Sequence, residues 1–116
     1  MPALTWVRVD AALARNPKTL HLLGEKGGDR ALCVYIFGLG YCAEQGNDGF
    51  IVRSALPLIH GTQKAAGQLV TVGLWHAVPG GWDVNDYAEY QPTSEEIRLR
   101  SERARDAARR RWEGKP

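Results

Sequence analysis

Apolar residues recur at helical spacing through the middle of the chain. Between residues 30 and 45 one face of a helix carries five of them: Leu32, Tyr35, Ile36, Leu39 and Cys42. Val34, Phe37 and Tyr41 widen that face, which is typical of a helix packed on several sides. Asp29 precedes the pattern and is a suitable N-cap. The spacing therefore predicts a long central helix over residues 30–45.

The residues before this helix predict three short elements. The stretch "TWVRV" alternates weakly and favours a short first strand. Asp10 is a candidate cap for a short helix over residues 11–15. Asn16 followed by Pro17 is a helix start signal, and this second helix is expected to run to Leu23.

The residues after the turn "NDG" alternate between short strands and short helices. "FIV" at 50–52 predicts a strand, and Pro57 is tolerated in the first turn of a helix over 55–60. Gly61 ends that helix, and a second one follows over 63–72. "LWHAV" and "WDVND" then form two strands around Pro-Gly-Gly. Two short helices followed by a hairpin predict a mainly α (α+β) fold, a winged helix-turn-helix with a short β-hairpin wing.

Charge separates the C-terminal part from the rest of the chain. Residues 1–90 carry 7 Lys/Arg against 8 Asp/Glu, whereas residues 91–116 carry 8 against 5. Thr93 and Glu96 form a capping box for a last, arginine-rich helix to about Trp112. We therefore divide the chain into a winged-helix domain, 1–91, and a basic C-terminal helix or arm, 92–116.

The second helix of the predicted pair is the candidate reading element, because such helices enter the major groove. Gln63 and Gln68 are suited to adenine edges, Lys64 and Arg53 to phosphate, and the helix start at Thr62 to an anion. The alternative is an ordinary solvated face with only one cation. The predicted DNA-binding residues are Arg53, Thr62, Gln63, Lys64, Gln68, Thr71, Arg103, Arg109, Arg110 and Arg111.

The hairpin and the tail leave alternatives open. The hairpin carries no Lys or Arg, so its first role is expected to be packing, with Trp82 either in the rim of the core or exposed at the tip. The tail helix has three interpretations: a solvated extension, an arginine arm that follows nucleic-acid phosphate, or a helix that pairs with a protein partner or with its own copy.

Other classes of function find little support in the residues. The three histidines are scattered, no Cys/His set has zinc spacing, and no glycine-rich loop matches a phosphate-binding fingerprint. Asp83, Asp86 and Glu89 cluster near the second hairpin strand, where a solvated edge is the expected explanation. We predict no enzyme activity, catalytic residue, cofactor or metal. The longest uncharged apolar run has 13 residues, no secretory signal is visible, and Cys33 and Cys42 are too far apart for a disulfide, so a cytoplasmic protein without a membrane span is expected.

Several stretches together carry a resemblance to a known family: "WVRVD", "NPKTL", "YCAEQGNDGFI", "LVTVGLW" and "GGWDVNDYAEYQPTSEEI". The chain resembles small helix-turn-helix proteins of actinobacterial phages, and is similar to the N-terminal winged-helix domain of phage replisome organisers. The resemblance spans about residues 5–112 and lies mostly in residues that build the fold. It implies binding to origin DNA and recruitment of replication partners. A replication initiator normally continues into a second domain, and this sequence ends at "EGKP".

The residues and the resemblance lead to two functional hypotheses. The first is that the chain is a viral protein, a DNA-binding winged-helix protein of a bacteriophage, whose partner is double-stranded DNA. It would act in DNA replication initiation or transcription control in the host cytoplasm. The second is a small phage winged-helix protein that binds a host or phage protein instead, for which the C-terminal helix is a candidate contact. The neutral body and the uncharged hairpin motivate the second hypothesis.

Overall fold

The computed structural model describes residues 4–113, and it is mainly helical with one small antiparallel sheet. The helices are α1 (Pro17–Leu23), α2 (Gly28–Gln45), α3 (Gln63–Val72), α4 (Tyr87–Tyr90) and α5 (Ser94–Glu113). The strands are β1 (Phe50–Val52), β2 (Trp75–Val78) and β3 (Gly81–Val84), and 3-10 turns cover Leu13–Arg15 and Arg53–Ile59. The sequence patterns placed most of these elements within two or three residues.

The sheet has the order β1-β3-β2, so the second hairpin strand lies in the centre. Trp82 of β3 is opposite Ile51 on one side and Ala77 on the other. A Cβ at Gly81 would lie 2.0 Å from the carbonyl oxygen of Ile51, so the close approach of β1 requires glycine there. The hairpin is therefore joined to the strand that follows α2, and both pack as one unit.

The core lies between α2, α3 and the inner face of the sheet. Trp75 is fully buried, and its ring lies 5.5 Å from that of Trp82, centroid to centroid. Gly38 of α2 makes room for both β1 and β2, because a Cβ there would be 3.1 Å from Ile51 Cδ1 and 3.2 Å from Trp75 Cζ2. Trp82 is only 4% exposed, so the alternative of a tryptophan exposed at the hairpin tip is wrong.

The expected strand "TWVRV" is absent, and another contact holds this segment. The buried Gln91 side chain accepts a hydrogen bond from the Arg8 amide at 2.9 Å and donates one to the Arg8 carbonyl at 2.6 Å. The amide of Leu4 donates to the carbonyl of Ala43. The Gln91 carboxamide thus satisfies the two main-chain groups of Arg8 that a neighbouring strand would otherwise bond. The alternation of apolar residues in this segment does not reveal such a distant partner.

The helix expected at 55–60 is instead the 3-10 turn Arg53–Ile59 with Pro57 inside it. His60 ends this turn in the left-handed region at φ 59°, and the Gly61 amide donates to the Leu56 carbonyl at 2.9 Å. A Cβ on Gly61 would lie 2.5 Å from Leu56 Cδ1. The helical conformation is therefore interrupted at this point, and α3 is a separate element from the turn before it.

Helix α5 begins at a carboxylate from another part of the chain. Asp48 accepts hydrogen bonds from the Ser94 amide at 2.6 Å and from the Ser94 hydroxyl at 2.8 Å. Thr93 also accepts from the Glu96 amide, as the capping box predicts. None of the residues of α5 is buried, and the radius of gyration is 17.5 Å, against about 13–14 Å for a compact domain of this length. The helix therefore extends away from the core.

Gly38→Val is expected to lower the free energy of unfolding by about 1–3 kcal/mol, because the added methyl groups overpack the contact between α2, Ile51 and Trp75. Gly67→Ala is the matched control: a Cβ at Gly67 meets nothing within 4 Å, so replacing this helical glycine should stabilise the fold by about 0.5–1 kcal/mol. Urea unfolding followed by circular dichroism measures both. Equal effects of the two substitutions would contradict the described packing of α2.

Candidate nucleic-acid interface

Helix α3 has a buried face and an exposed flank. Ala65, Ala66 and Leu69 are buried against the core. The opposite side carries the residues that we call the α3 flank: Gln63, Lys64, Gly67, Gln68 and Thr71. All are exposed except Gln68, which is half-buried. The structure thus brings four of the predicted site residues onto one surface, with Gly67 at its centre.

Thr62 lies at the start of α3 as its N-cap. Its hydroxyl oxygen accepts a hydrogen bond from the Ala65 amide at 3.1 Å. The hydroxyl proton of Thr62 can still be donated, and the first amides of α3 have no partner one turn earlier in the helix. The predicted anion-binding role of Thr62 therefore depends on the helix start as a whole, with the side chain serving first as a cap.

Two flank side chains already make internal hydrogen bonds. The Gln68 carboxamide donates to the Lys26 carbonyl at 2.9 Å, and the Thr71 hydroxyl donates to the Gly67 carbonyl at 2.8 Å. Gln68 retains its carboxamide oxygen and one N–H, and the Thr71 oxygen can still accept. Both side chains are thus held in place, and each has less capacity for an external partner than the sequence suggested.

The loop before α2 borders one edge of the α3 flank. A Cβ on Gly27 would lie 3.5 Å from Lys64 Nζ, so this loop runs directly beside the lysine. The shallow cleft between loop and helix is lined by Glu25, Lys64, Gly67, Gln68, Thr71 and Val72. Glu25 places a carboxylate beside the only cation of the flank. The flank is therefore open to solvent and carries one cation of its own, with Glu25 in the same cleft and Lys26 in the loop that borders it.

Gly67 is the least expected residue of the flank. It lies in the interior of a ten-residue helix, where glycine costs about 1 kcal/mol relative to alanine. Apart from the adjoining backbone of α3, no atom of the described residues comes within 4 Å of the position that a Cβ would occupy. Packing inside the protein therefore gives no reason for glycine at this position.

Arg53 supplies a cation to the hairpin, which has none of its own. The Arg53 guanidinium lies 4.9 Å from the centre of the Trp82 ring, and the Arg53 amide donates to the Gly80 carbonyl at 2.9 Å. The first contact holds the side chain against the hairpin, and the second joins the main chain of Arg53 to the hairpin turn. The sequence does not reveal this pairing, because 28 positions separate the two residues along the chain.

The arm arginines lie on α5 rather than within the α3 flank. Arg109 forms an ion pair with Asp106 at 2.8 Å, and Arg98 pairs with Glu95 and Glu102. Exposed pairs of this kind are weak, so Arg109 remains available to another anion. Five further arginines have no ion-pair partner among residues 4–113: Arg100, Arg103, Arg105, Arg110 and Arg111. Arg100 and Arg105, absent from the prediction, are thus equivalent to the arginines it named.

No three His, Cys, Asp or Glu side chains within residues 4–113 are grouped as metal ligands. His76 Nε2 lies 2.7 Å from the side-chain oxygen of Asn85, a contact at the surface of the sheet. No helix within the same residues is long and apolar enough to cross a membrane.

No protein-family model, curated protein or solved structure matches this chain.

The two cysteine thiols are expected to differ in reactivity. Burial, together with the nearby Asp83 carboxylate, raises the pKa of Cys42 to about 12, whereas Cys33 is exposed. A thiol reacts as the thiolate, so at pH 8 the Cys42 thiolate is nearly absent in the folded protein. Mass spectrometry of a dilute sample treated with iodoacetamide should show one label per chain, on Cys33. A second label without denaturant would contradict the described core.

Proposed function

We propose that this protein is a winged helix that binds duplex DNA through the α3 flank. The order of elements supports the proposal: α2, β1, the 3-10 turn Arg53–Ile59, α3, and then the hairpin of β2 and β3, with β1 paired to β3. In helix-turn-helix proteins with this arrangement, the helix after the turn lies in the major groove. Here that helix is α3, and its flank faces solvent.

Gly67 is the observation that carries the proposal. The major groove is about 12 Å wide and an α-helix with its side chains about 10–12 Å across, so a helix that enters the groove fits it closely. Glycine at the centre of the flank lets a partner's surface approach the helix backbone. Glycine at this position costs helix stability, and packing among the described residues does not require it. A closely apposed partner explains that cost.

The polar side chains around Gly67 suit DNA in kind. Gln63 and the free atoms of Gln68 have the paired donor and acceptor that recognise adenine edges. Lys64, and Arg53 on the hairpin, are suited to phosphate oxygens, as are the unpaired arginines of α5. Since the flank itself has one cation, most of the electrostatic attraction in this proposal comes from α5.

The biological role follows from the resemblance described above, and we propose that the DNA binding serves phage replication initiation or transcription control. The second candidate function, binding of a host or phage protein, is favoured by the carboxylate of Glu25 beside Lys64. A pull-down from host lysate after nuclease treatment separates the two. One stoichiometric protein partner that survives the nuclease, together with no duplex binding at low salt, would favour the protein-binding function.

Gly67→Ala is expected to weaken duplex binding by about tenfold or more, although the same variant should be more stable than the wild type. The methyl group holds the helix away from the groove floor, so affinity and stability change in opposite directions. Fluorescence anisotropy with a labelled duplex measures the affinity. Lys64→Gln should also weaken binding and make the slope of log affinity against log salt shallower by about 1. Arg15→Gln, an exposed change outside the α3 flank, is the control. Unchanged affinity in Gly67→Ala would contradict the proposed interface.

The contribution of α5 is tested by replacing Arg100, Arg103, Arg110 and Arg111 with glutamine, a good helix former. If each contacts a phosphate, the salt slope should become shallower by about 3–4. Arg98→Gln is the control, because Arg98 is engaged by two carboxylates. A salt slope identical to that of the wild type would show that the arm takes no part in binding DNA.

A further inference from the structure

The side of α2 that faces away from the core carries a second unusual surface. Five residues recur along it at intervals of three and four, within about 80° of the helix circumference. We call them the α2 stripe: Arg30, Cys33, Phe37, Gly40 and Glu44. Phe37 is 48% exposed, and nearby Trp6 is 46% exposed at the wall of a cleft that Gly40 and Glu44 line. An aromatic side chain in this position leaves apolar surface in contact with water.

Gly40 repeats the argument made for Gly67. It lies in the interior of α2, and apart from the adjoining helix backbone no atom of residues 4–113 comes within 4 Å of its Cβ position. Gly38, two positions earlier, is needed by Trp75 and Ile51, but Gly40 has no such internal neighbour. A hollow thus lies at Gly40, one helical turn after the exposed Phe37, whose ring packs edge-on against His60 at 5.5 Å between ring centroids.

The charges at the two ends of the α2 stripe identify what fits it. Arg30 lies seven positions before Phe37 and Glu44 seven positions after it. Neither forms an ion pair among residues 4–113; Arg30 only donates a long hydrogen bond to the His60 carbonyl at 3.4 Å. The stripe is therefore positive at one end, apolar in the middle and negative at the other. A surface with this symmetry about its centre is complementary to itself when turned end over end.

We propose that the α2 stripe binds a second copy of this chain, with the two α2 helices antiparallel and crossing near Phe37. In this arrangement Arg30 faces Glu44 of the partner subunit, and the contact occurs twice because the two-fold axis repeats it. The ring of each Phe37 enters the hollow beside the other copy's Gly40, as a knob packs into a hole. Cys33 lies one turn before Phe37 on the same stripe.

The expected dimer is weak. One pair of crossing helices covers less than the roughly 1,200–2,000 Å² buried in stable complexes. We therefore expect a dissociation constant in about the micromolar to hundred-micromolar range, and a sedimentation coefficient that rises with protein concentration. This inference is independent of the proposed DNA binding, since the association is measured without nucleic acid.

Charge reversal provides the test, using sedimentation velocity over a concentration series of the full chain. Arg30→Glu alone and Glu44→Arg alone each place like charges opposite each other twice, and each should weaken dimerisation by roughly tenfold. The double variant, Arg30→Glu with Glu44→Arg, restores opposite charges and should recover most of the wild-type affinity. Phe37→Ser should abolish the dimer. Circular dichroism confirms that each variant is folded.

A second readout does not require any substitution. Because Cys33 lies in the proposed interface, its rate of alkylation should fall as protein concentration rises through the dissociation constant. A wild-type protein that stays monomeric up to about 1 mM, well above the expected range, would overturn the proposal. So would a dimer in which the double reversal fails to recover affinity, since its interface would then lie elsewhere, for example on α5.

Discussion

The turn at His60 and Gly61 determines where α3 lies, and the remaining surface depends on it. His60 takes up a left-handed conformation, and Gly61 leaves no room for a Cβ against Leu56. The 3-10 turn therefore cannot continue into α3. Once separated, α3 packs on α2 through Ala65, Ala66 and Leu69, and its polar residues are left outside. The α3 flank is thus a consequence of one steric restriction.

Glycines within the helices divide into two groups that have different causes. Gly38 faces inward and is required by the tryptophan and isoleucine packed against it. Gly40 and Gly67 face outward, and no side chain in the described part of the chain occupies the space beside them. The second group lowers helix stability, and no packing contact within the described residues compensates for that loss. Gly67 lies at the centre of the α3 flank, for which we propose duplex DNA as the partner, and Gly40 lies one turn after Phe37 in the α2 stripe, for which we propose a second copy.

The sequence predicted the elements whose signals are local. The Thr62 cap, the stop at Gly73 and the apolar periodicity of α2 all correspond to what the structure has. The sequence failed where distant residues complete a local segment, as Gln91 does for Arg8, Asp48 for Ser94 and Trp82 for Arg53. For the candidate site, it identified the exposed residues of α3 but not the loop at Gly27 that borders them. Such contacts join positions far apart in the chain, and periodicity carries no record of them.

The proposed binding of duplex DNA by the α3 flank is tested most directly by mapping which residues respond when a duplex is added. Amide chemical shifts of the labelled full-length protein should be recorded while a duplex is added at low salt. We expect the largest changes at residues 62–71, with further changes at Arg53 and along α5. The α2 stripe around Gly40 should change little. Shifts confined to α5, or no shifts at any ratio of duplex to protein, would contradict the claim that the α3 flank is the DNA-binding surface.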